Sequence, residues 1–309
     1  MDGVKEAIAR APRTGLGIAR PWLVALLTCL LLPLPGCGFD LSASQPRSRY
    51  QASLERAFPD PRAQALAIAA ERGDAAEIRR LMQDEGVDPD VIFGGQSGGM
   101  PLLAWPIYSG SPEGLRAMLE AGADPNARKP YPVRRGSSPQ YYGNAMVWAA
   151  EQDDPVYLGI LLDYGGDPDT RNANGEALLF HAFIKQNKWR NVQLLVERGA
   201  DVNADVSLGR TITEVYASRG GFKMVHWLLE HGAEPGREFV HGEPVQKSDS
   251  RTINSIFWHP GNPEDPSWQR VCQQWLADQE FERPPMPDHY RKMRARLGFP
   301  DDESEIHIL

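Results

Sequence analysis

The chain has 309 residues, 41% hydrophobic and 24% charged, with a formal net charge of −8. That apolar share supplies a packed core and excludes a disordered chain. The acidic balance argues against nucleic acid or another polyanion as partner.

Taken in order, the chain opens on a basic leader with Lys5, Arg10, Arg13 and Arg20, followed by a nearly wholly apolar run over residues 22–34. This is the layout of a secretory signal. The run has 13 residues, too few for the roughly 20 that span a bilayer as a helix. It closes on Leu34-Pro35-Gly36-Cys37, which resembles the bacterial lipobox, where a small residue precedes a cysteine that is lipidated and becomes the new first residue. Pro35 departs from that pattern, so cleavage nearby without lipidation stays open. The resemblance implies residues 1–36 as a lipoprotein signal peptide and Cys37 as the lipid carrier. The mature chain then keeps 29 Lys+Arg and 39 Asp+Glu, a net −10, and Cys272 is its remaining thiol. No internal disulfide is then expected. Residues 37–61 read as a tether that reaches roughly 70 Å when extended. Gly38 is not the Asp that commonly retains such proteins at the inner membrane, so the resemblance implies a periplasmic protein on the outer membrane.

One phrase then recurs: Gly86-Val87-Asp88-Pro89-Asp90, Gly122-Ala123-Asp124-Pro125-Asn126, Gly165-Gly166-Asp167-Pro168-Asp169, Gly199-Ala200-Asp201-Val202-Asn203 and Gly232-Ala233-Glu234-Pro235-Gly236. The steps between the glycines are 36, 43, 34 and 33 residues, a period near 33 with an insertion in the long step. Apolar residues at helical spacing precede each phrase: Ile78-Leu81-Met82, Leu115-Met118-Leu119, Leu158-Leu161-Leu162, Val192-Leu194-Leu195 and Val225-Leu228-Leu229. Glycine tolerates the left-handed backbone that closes a helix, and the proline after it cannot continue one. Shorter helices are predicted upstream at 66–72, 102–108, 145–152, 178–186 and 212–219.

The pattern resembles the ankyrin repeat. Met100-Pro101-Leu102-Leu103, Ala69-Ala70, Ala149-Ala150 and the stretch from Val192 through Leu194-Leu195 to Gly199-Ala200-Asp201-Val202-Asn203 carry the match. The resemblance implies an all-α repeat solenoid, a stack of helix-turn-helix units with projecting β-turn loops. About five repeats span residues 62–236, and residues 237–309 form a divergent helical cap and tail. Predicted helices at 252–258 and 268–281 make a sixth pair, with Trp268, Val271, Cys272, Trp275 and Leu276 at core spacing, and 288–297 a short basic helix. A separate C-terminal domain is the alternative.

Catalytic signals are weak. Gly95-Gln96-Ser97-Gly98-Gly99 fits a Gly-x-Ser-x-Gly string but lies in a glycine-rich turn, without the strand and helix a nucleophile elbow needs. His181, His226, His231, His241, His259, His289 and His307 show no metal-binding rhythm, and His181 sits near the family's turn-bonding histidine. No catalytic residue, metal, cofactor, nucleic acid or small-molecule substrate is expected.

Binding remains. By resemblance, partners dock on turn tips and the exposed face of the first helices, which directs attention to Tyr108, Trp148, Gln152, Phe183, Gln186, Tyr216 and Arg219. About half of these are expected to be buried, and Trp105 and Phe183 fit the core equally well. The insertion adds Tyr131, Arg134, Arg135, Tyr141 and Tyr142, residue types favoured at binding hot spots. Exported ankyrin lipoproteins are similar to immunity proteins paired with type VI secreted effectors that attack membrane lipids. The resemblance therefore implies a protein partner, a secreted lipase-type toxin, with the N-terminal lipid as the membrane contact. An envelope scaffold that gathers endogenous proteins, or an enzyme in the C-terminal region, are the alternatives.

Overall fold

The computed structural model describes residues 49–93, 99–131, 140–261 and 267–306. The leader, Cys37, Ser97, Arg134, Arg135 and His307 lie outside them. Residues divide into two compact units, Met1–Pro59 and Asp60–Leu309. In the first, helix α1 (Arg49–Ala57) occupies part of the segment expected to be an extended tether.

The second unit is a succession of helix pairs. They are α2 (Pro61–Arg72) with α3 (Ala75–Arg79), α4 (Trp105–Ser109) with α5 (Pro112–Glu120), and α6 (Ala145–Ala150) with α7 (Val156–Asp163). Then follow α8 (Leu178–Ile184) with α9 (Trp189–Glu197), α10 (Ile212–Ala217) with α11 (Phe222–Glu230), and α12 (Arg251–Trp258) with α13 (Ser267–Asp278). The helices of each pair touch, and successive pairs pack side by side, α3 on α5, α5 on α7, α6 on α8, α10 on α12 and α11 on α13. A last helix, α14 (Asp288–Leu297), lies against α12: the Tyr290 and Ser255 hydroxyls are 2.7 Å apart, and Arg294 Nη1 donates to the Trp258 carbonyl at 3.3 Å. The C-terminal region thus packs onto the fifth repeat as a further pair.

Local chemistry sets the ends of these helices. Asp60, Asp74, Ser111, Asn144, Thr211 and Ser250 cap α2, α3, α5, α6, α10 and α12 by accepting from a backbone N–H in the first turn. At the other end, the five phrase glycines all have positive φ, between 65° and 105°. There the following amide bonds back into the helix, as Ala123 N donates to Met118 O and Ala200 N to Leu195 O, at 3.0 and 2.9 Å. The first repeat closes differently, because α3 widens into a π turn at Arg80–Asp84 that takes up extra length before Gly86.

Among the described residues three antiparallel strand pairs lie between the helix pairs. β1 (Ile92–Phe93) pairs with β2 (Met100–Pro101). The insertion rises on β3 (Pro130–Tyr131) and β4 (Gln140–Tyr141), with Pro130 opposite Tyr141. β5 (Arg237–Val240) and β6 (Glu243–Gln246) form a hairpin that the periodicity did not predict, placed between the fifth and sixth pairs. Buried Glu214 and Glu238 both face Arg251, tying α10, this hairpin and α12 together.

The turn phrases also bind one another. Asn126 donates to the Gly165 carbonyl at 2.8 Å and accepts from Asp167 N at 2.7 Å. Asn203 repeats this with Gly232 and Glu234, at 2.9 and 2.7 Å. Asp169, at the equivalent place, accepts from Asp201 N at 2.9 Å but has no N–H to donate. Asp90 holds this place in the first phrase. Burial raises its carboxyl above the usual aspartate range, helped by Asp88 and Asp124 and opposed by Lys129.

Two tests follow from this packing. A Cβ on Gly114 would fall 1.7 Å from the Ala70 carbonyl oxygen, so Gly114→Ala forces α5 off α2. We predict a loss of about 2 kcal/mol or more in urea unfolding, against about 1–2 kcal/mol for Gly86→Ala, where a Cβ meets open space but φ is +65°. The second concerns Asp90. A carboxyl raised on folding stabilises below its unfolded pKa, and that contribution is lost as pH rises through the folded value. Asp90→Asn is therefore expected to raise the melting temperature at neutral pH and to remove stability gained on acidification just above the ordinary aspartate pKa of about 3.9. An unchanged pH profile would show that Asp90 does not contribute.

Candidate binding surface

The first helices turn one side inward and end near solvent. Trp105 on α4 is core, its ring 5.3 Å from Phe93 and 5.4 Å from Tyr108, while Tyr108 is 38% exposed. Trp148 and Gln152 at the end of α6 are half-buried, and Gln152 Nε2 donates to the Trp148 carbonyl at 3.0 Å. On the returning strand of the insertion Tyr141 is 43% exposed. Tyr142 folds back over Gly99, where a Cβ would come within 2.8 Å of its ring. Tyr131 lies in β3 by its backbone.

The fourth and fifth pairs correct one expectation. Tyr216 is only 2% exposed, edge-on to Phe183 and Trp189 with ring centroids 5.0 and 5.3 Å apart. Its hydroxyl donates to Asn187 Oδ1 at 2.7 Å, and burial pushes the phenol pKa up. Tyr216 is therefore a core residue. Of the seven first-helix residues expected to divide about evenly, only Tyr216 is buried; Gln186 and Arg219 are exposed. The Arg219 guanidinium lies 4.8 Å from the Phe183 ring centroid, and Nη1 donates to the Val215 carbonyl at 3.2 Å. Where the first helices α2, α4 and α10 end on or near Gly73, Gly110 and Gly220 in left-handed backbone, α8 ends on Gln186 and Asn187, with φ of 67° and 52°.

His181 does not bond turn backbone itself. Its Nδ1 lies 3.0 Å from Asn172 Nδ2, and Asn172 Oδ1 in turn accepts from the Asn174 and Glu176 amides. Its Nε2 lies 2.9 Å from Glu151 Oε1. A neutral ring protonated on Nε2 satisfies both contacts. Burial raises the Glu151 carboxyl, but hydrogen bonds from His181 and Lys185 outweigh it and hold the pKa below the usual range.

Sequence reasoning missed two residues on this side. Ile184, the last residue of α8, is 45% exposed, and Leu208, in the turn between Ser207 and Arg210, is 93% exposed. Apolar residues near helix starts and ends read as core in one dimension, and no local signal marks these two as outward. On the opposite side a groove of about 530 Å³ separates α7 and α9, lined by Asp154, Val156, Gly159, Arg190, Leu194 and Glu197. Among the described residues no group of three His, Cys, Asp or Glu side chains is placed to hold a metal. The Cys272 thiol is buried and pushed up to about 12, so it stays protonated at neutral pH.

Residues 146–238 match the family model for ankyrin repeats, in three copies. Over 100 residues the chain is 32% identical to the B-cell lymphoma 3 protein homolog of Mus musculus, covering 32% of this chain and 22% of that protein. It is 26% identical over 153 residues to E3 ubiquitin-protein ligase KEG of Arabidopsis thaliana, 49% of this chain and 9% of the relative. With Protein PhlB of Serratia liquefaciens it shares 32% over 151 residues, 48% and 58% of the two chains. The chain thus spans less than two thirds of the length of each of these relatives. A crystal structure of the ankyrin repeat domain of Bcl-3 aligns with TM-score 0.49 at 25% identity, over 69% of this chain and 85% of that one. Paired helices stacked through recurring glycine-closed turns, together with the matched segment at 146–238, make this an ankyrin-repeat fold, a protein-binding architecture.

Proposed function

We propose that the chain is a non-catalytic ankyrin-repeat lipoprotein of the periplasm, held at the outer membrane through Cys37, which binds and inhibits a secreted antibacterial effector of the lipase type as its immunity partner. The observation that carries the binding role is the line of partly exposed aromatic and polar side chains along the first-helix ends, Tyr108, Trp148, Phe183, Gln186 and Arg219. Aromatic residues and arginine on a rigid support are the composition of binding hot spots. Export is supported by the basic and apolar leader that closes on Leu34-Pro35-Gly36-Cys37. The choice of partner rests on the resemblance to exported ankyrin lipoproteins that act as immunity proteins. Tyr141, 43% exposed on the hairpin stem of the insertion, adds a further aromatic to this set.

The test joins genetics to capture. Deleting the gene is expected to lower survival against a sibling attacker by at least about tenfold, and capture from the native envelope to recover a secreted lipase. Replacing residues 131–142 by a short Gly-Ser turn is expected to lose that lipase. Unchanged survival, with only housekeeping envelope proteins recovered whether or not the loop is present, would overturn the immunity role in favour of a scaffold.

A further inference from the structure

At one end of the fourth and fifth repeats, Leu208 stands almost wholly in water with a left-handed φ of 53°, followed by Gly209 at 75°. An aliphatic L-residue rarely adopts that backbone, and Asn or Gly would occupy the turn with less strain. At the other end, Ile184 is exposed beside Gln186 and Asn187, two successive non-glycine residues that are also left-handed. At the Leu208 end, strained backbone presents an apolar side chain to solvent, and such strain is concentrated where proteins bind; at the other end the left-handed Asn187 accepts from Tyr216, and Ile184 before it is left exposed.

These two ends are physically joined. Arg210, two residues after Leu208, donates from Nε to Glu214 Oε1 at 3.0 Å and from Nη2 to Ser218 Oγ at 3.1 Å, so it runs alongside α10. Arg219 comes next, and its guanidinium covers Phe183, the neighbour of Ile184. Arg219 meets no carboxylate among the described residues, and donates only to a backbone carbonyl. In the two preceding turns the same holds for two more cations. Arg128 donates to the Arg171 carbonyl, and Arg171 donates to the Gly175 and Asp205 carbonyls, both at 2.9 Å. On a chain of net charge −8, Arg219 thus lies on this strip without a carboxylate, and Arg171, bonded to the Asp205 carbonyl, lies in the turn next to it.

We infer that the strip from Leu208 through Arg210 and Arg219 to Ile184 docks an acidic protein segment, with a carboxylate on Arg219 flanked by apolar side chains that cover Leu208 and Ile184. This rests on the protein-binding role proposed above and adds the chemistry of the partner. Carboxylate on guanidinium supplies direction, and the exposed aliphatics supply apolar area that the free chain leaves in water.

The test selects binders from a displayed library of random linear peptides against the chain. Selected sequences are expected to be rich in Asp and Glu flanked by Leu, Ile or Phe. One of them, synthesised, is expected to bind less tightly as salt rises and to lose at least about tenfold in affinity to Leu208→Asn and to Arg219→Gln. Leu208→Asn should leave the melting temperature unchanged or higher, since Asn accepts the left-handed backbone; this separates lost binding from lost folding. Peptides without acidic enrichment, or bound equally by both variants, would overturn the inference. Binders indifferent to both variants but lost when residues 131–142 are replaced would reject this strip and leave protein binding intact. Failure of the chain to select any peptide or to capture any envelope protein would reject both.

Discussion

Leu115, Met118 and Leu119 on α5 are shielded from water because α3 and α7 flank that helix, and Val225, Leu228 and Leu229 on α11 are buried where α13 packs against it. A large aliphatic side chain gains about 1.5–3 kcal/mol only when such a neighbour covers it, so each pair depends on the next. The requirement carries through to the C-terminal end of the array. There α12 and α13 continue the stack, and α14 closes over Trp258, whose indole N–H donates to the Pro284 carbonyl at 3.1 Å. The divergent sequence after Gly236 answers the same physical demand as the repeats before it.

Stacking sets which helices meet; the turn ladder sets how far apart they stand. Asn126 and Asn203 each hold the following turn by a donated and an accepted bond, so neighbouring turns are fixed in register as well as in order. A frame fixed in this way lets side chains at the helix ends and turn tips keep their positions without a core of their own. Binding residues on such a frame lose little further freedom on docking. That is the physical basis for placing function on the first-helix ends and the turn tips rather than in a cavity.

The second helices and their turns were legible because their residues have a single conformational meaning: a glycine that must be left-handed, then a residue pair that ends the helix. Trp268, Cys272 and Leu276 likewise announced the sixth pair, although Val271 between them faces solvent. First helices were harder to read. An aromatic residue there packs inward or stands outward according to its neighbours in space, and Tyr216 is buried because Phe183 and Trp189, from the preceding pair, close around it. Leu208 and Ile184 carry no outward signal in the sequence, yet the fold leaves both in water. The β5–β6 hairpin turns on His241 and Gly242, both left-handed. A histidine at that place gives none of the usual Asn-Gly signal for such a turn, and Pro244 disguises the second strand.

The most direct measurement is hydroxyl-radical footprinting of the chain, alone and with a captured protein partner. Protection is expected at Tyr108, Trp148, Phe183 and Leu208, with Trp227 and Trp268 on the second helices unchanged. Protection of Trp227 and Trp268 with the first-helix ends left open would contradict this expectation, placing the partner on the second-helix side of the array.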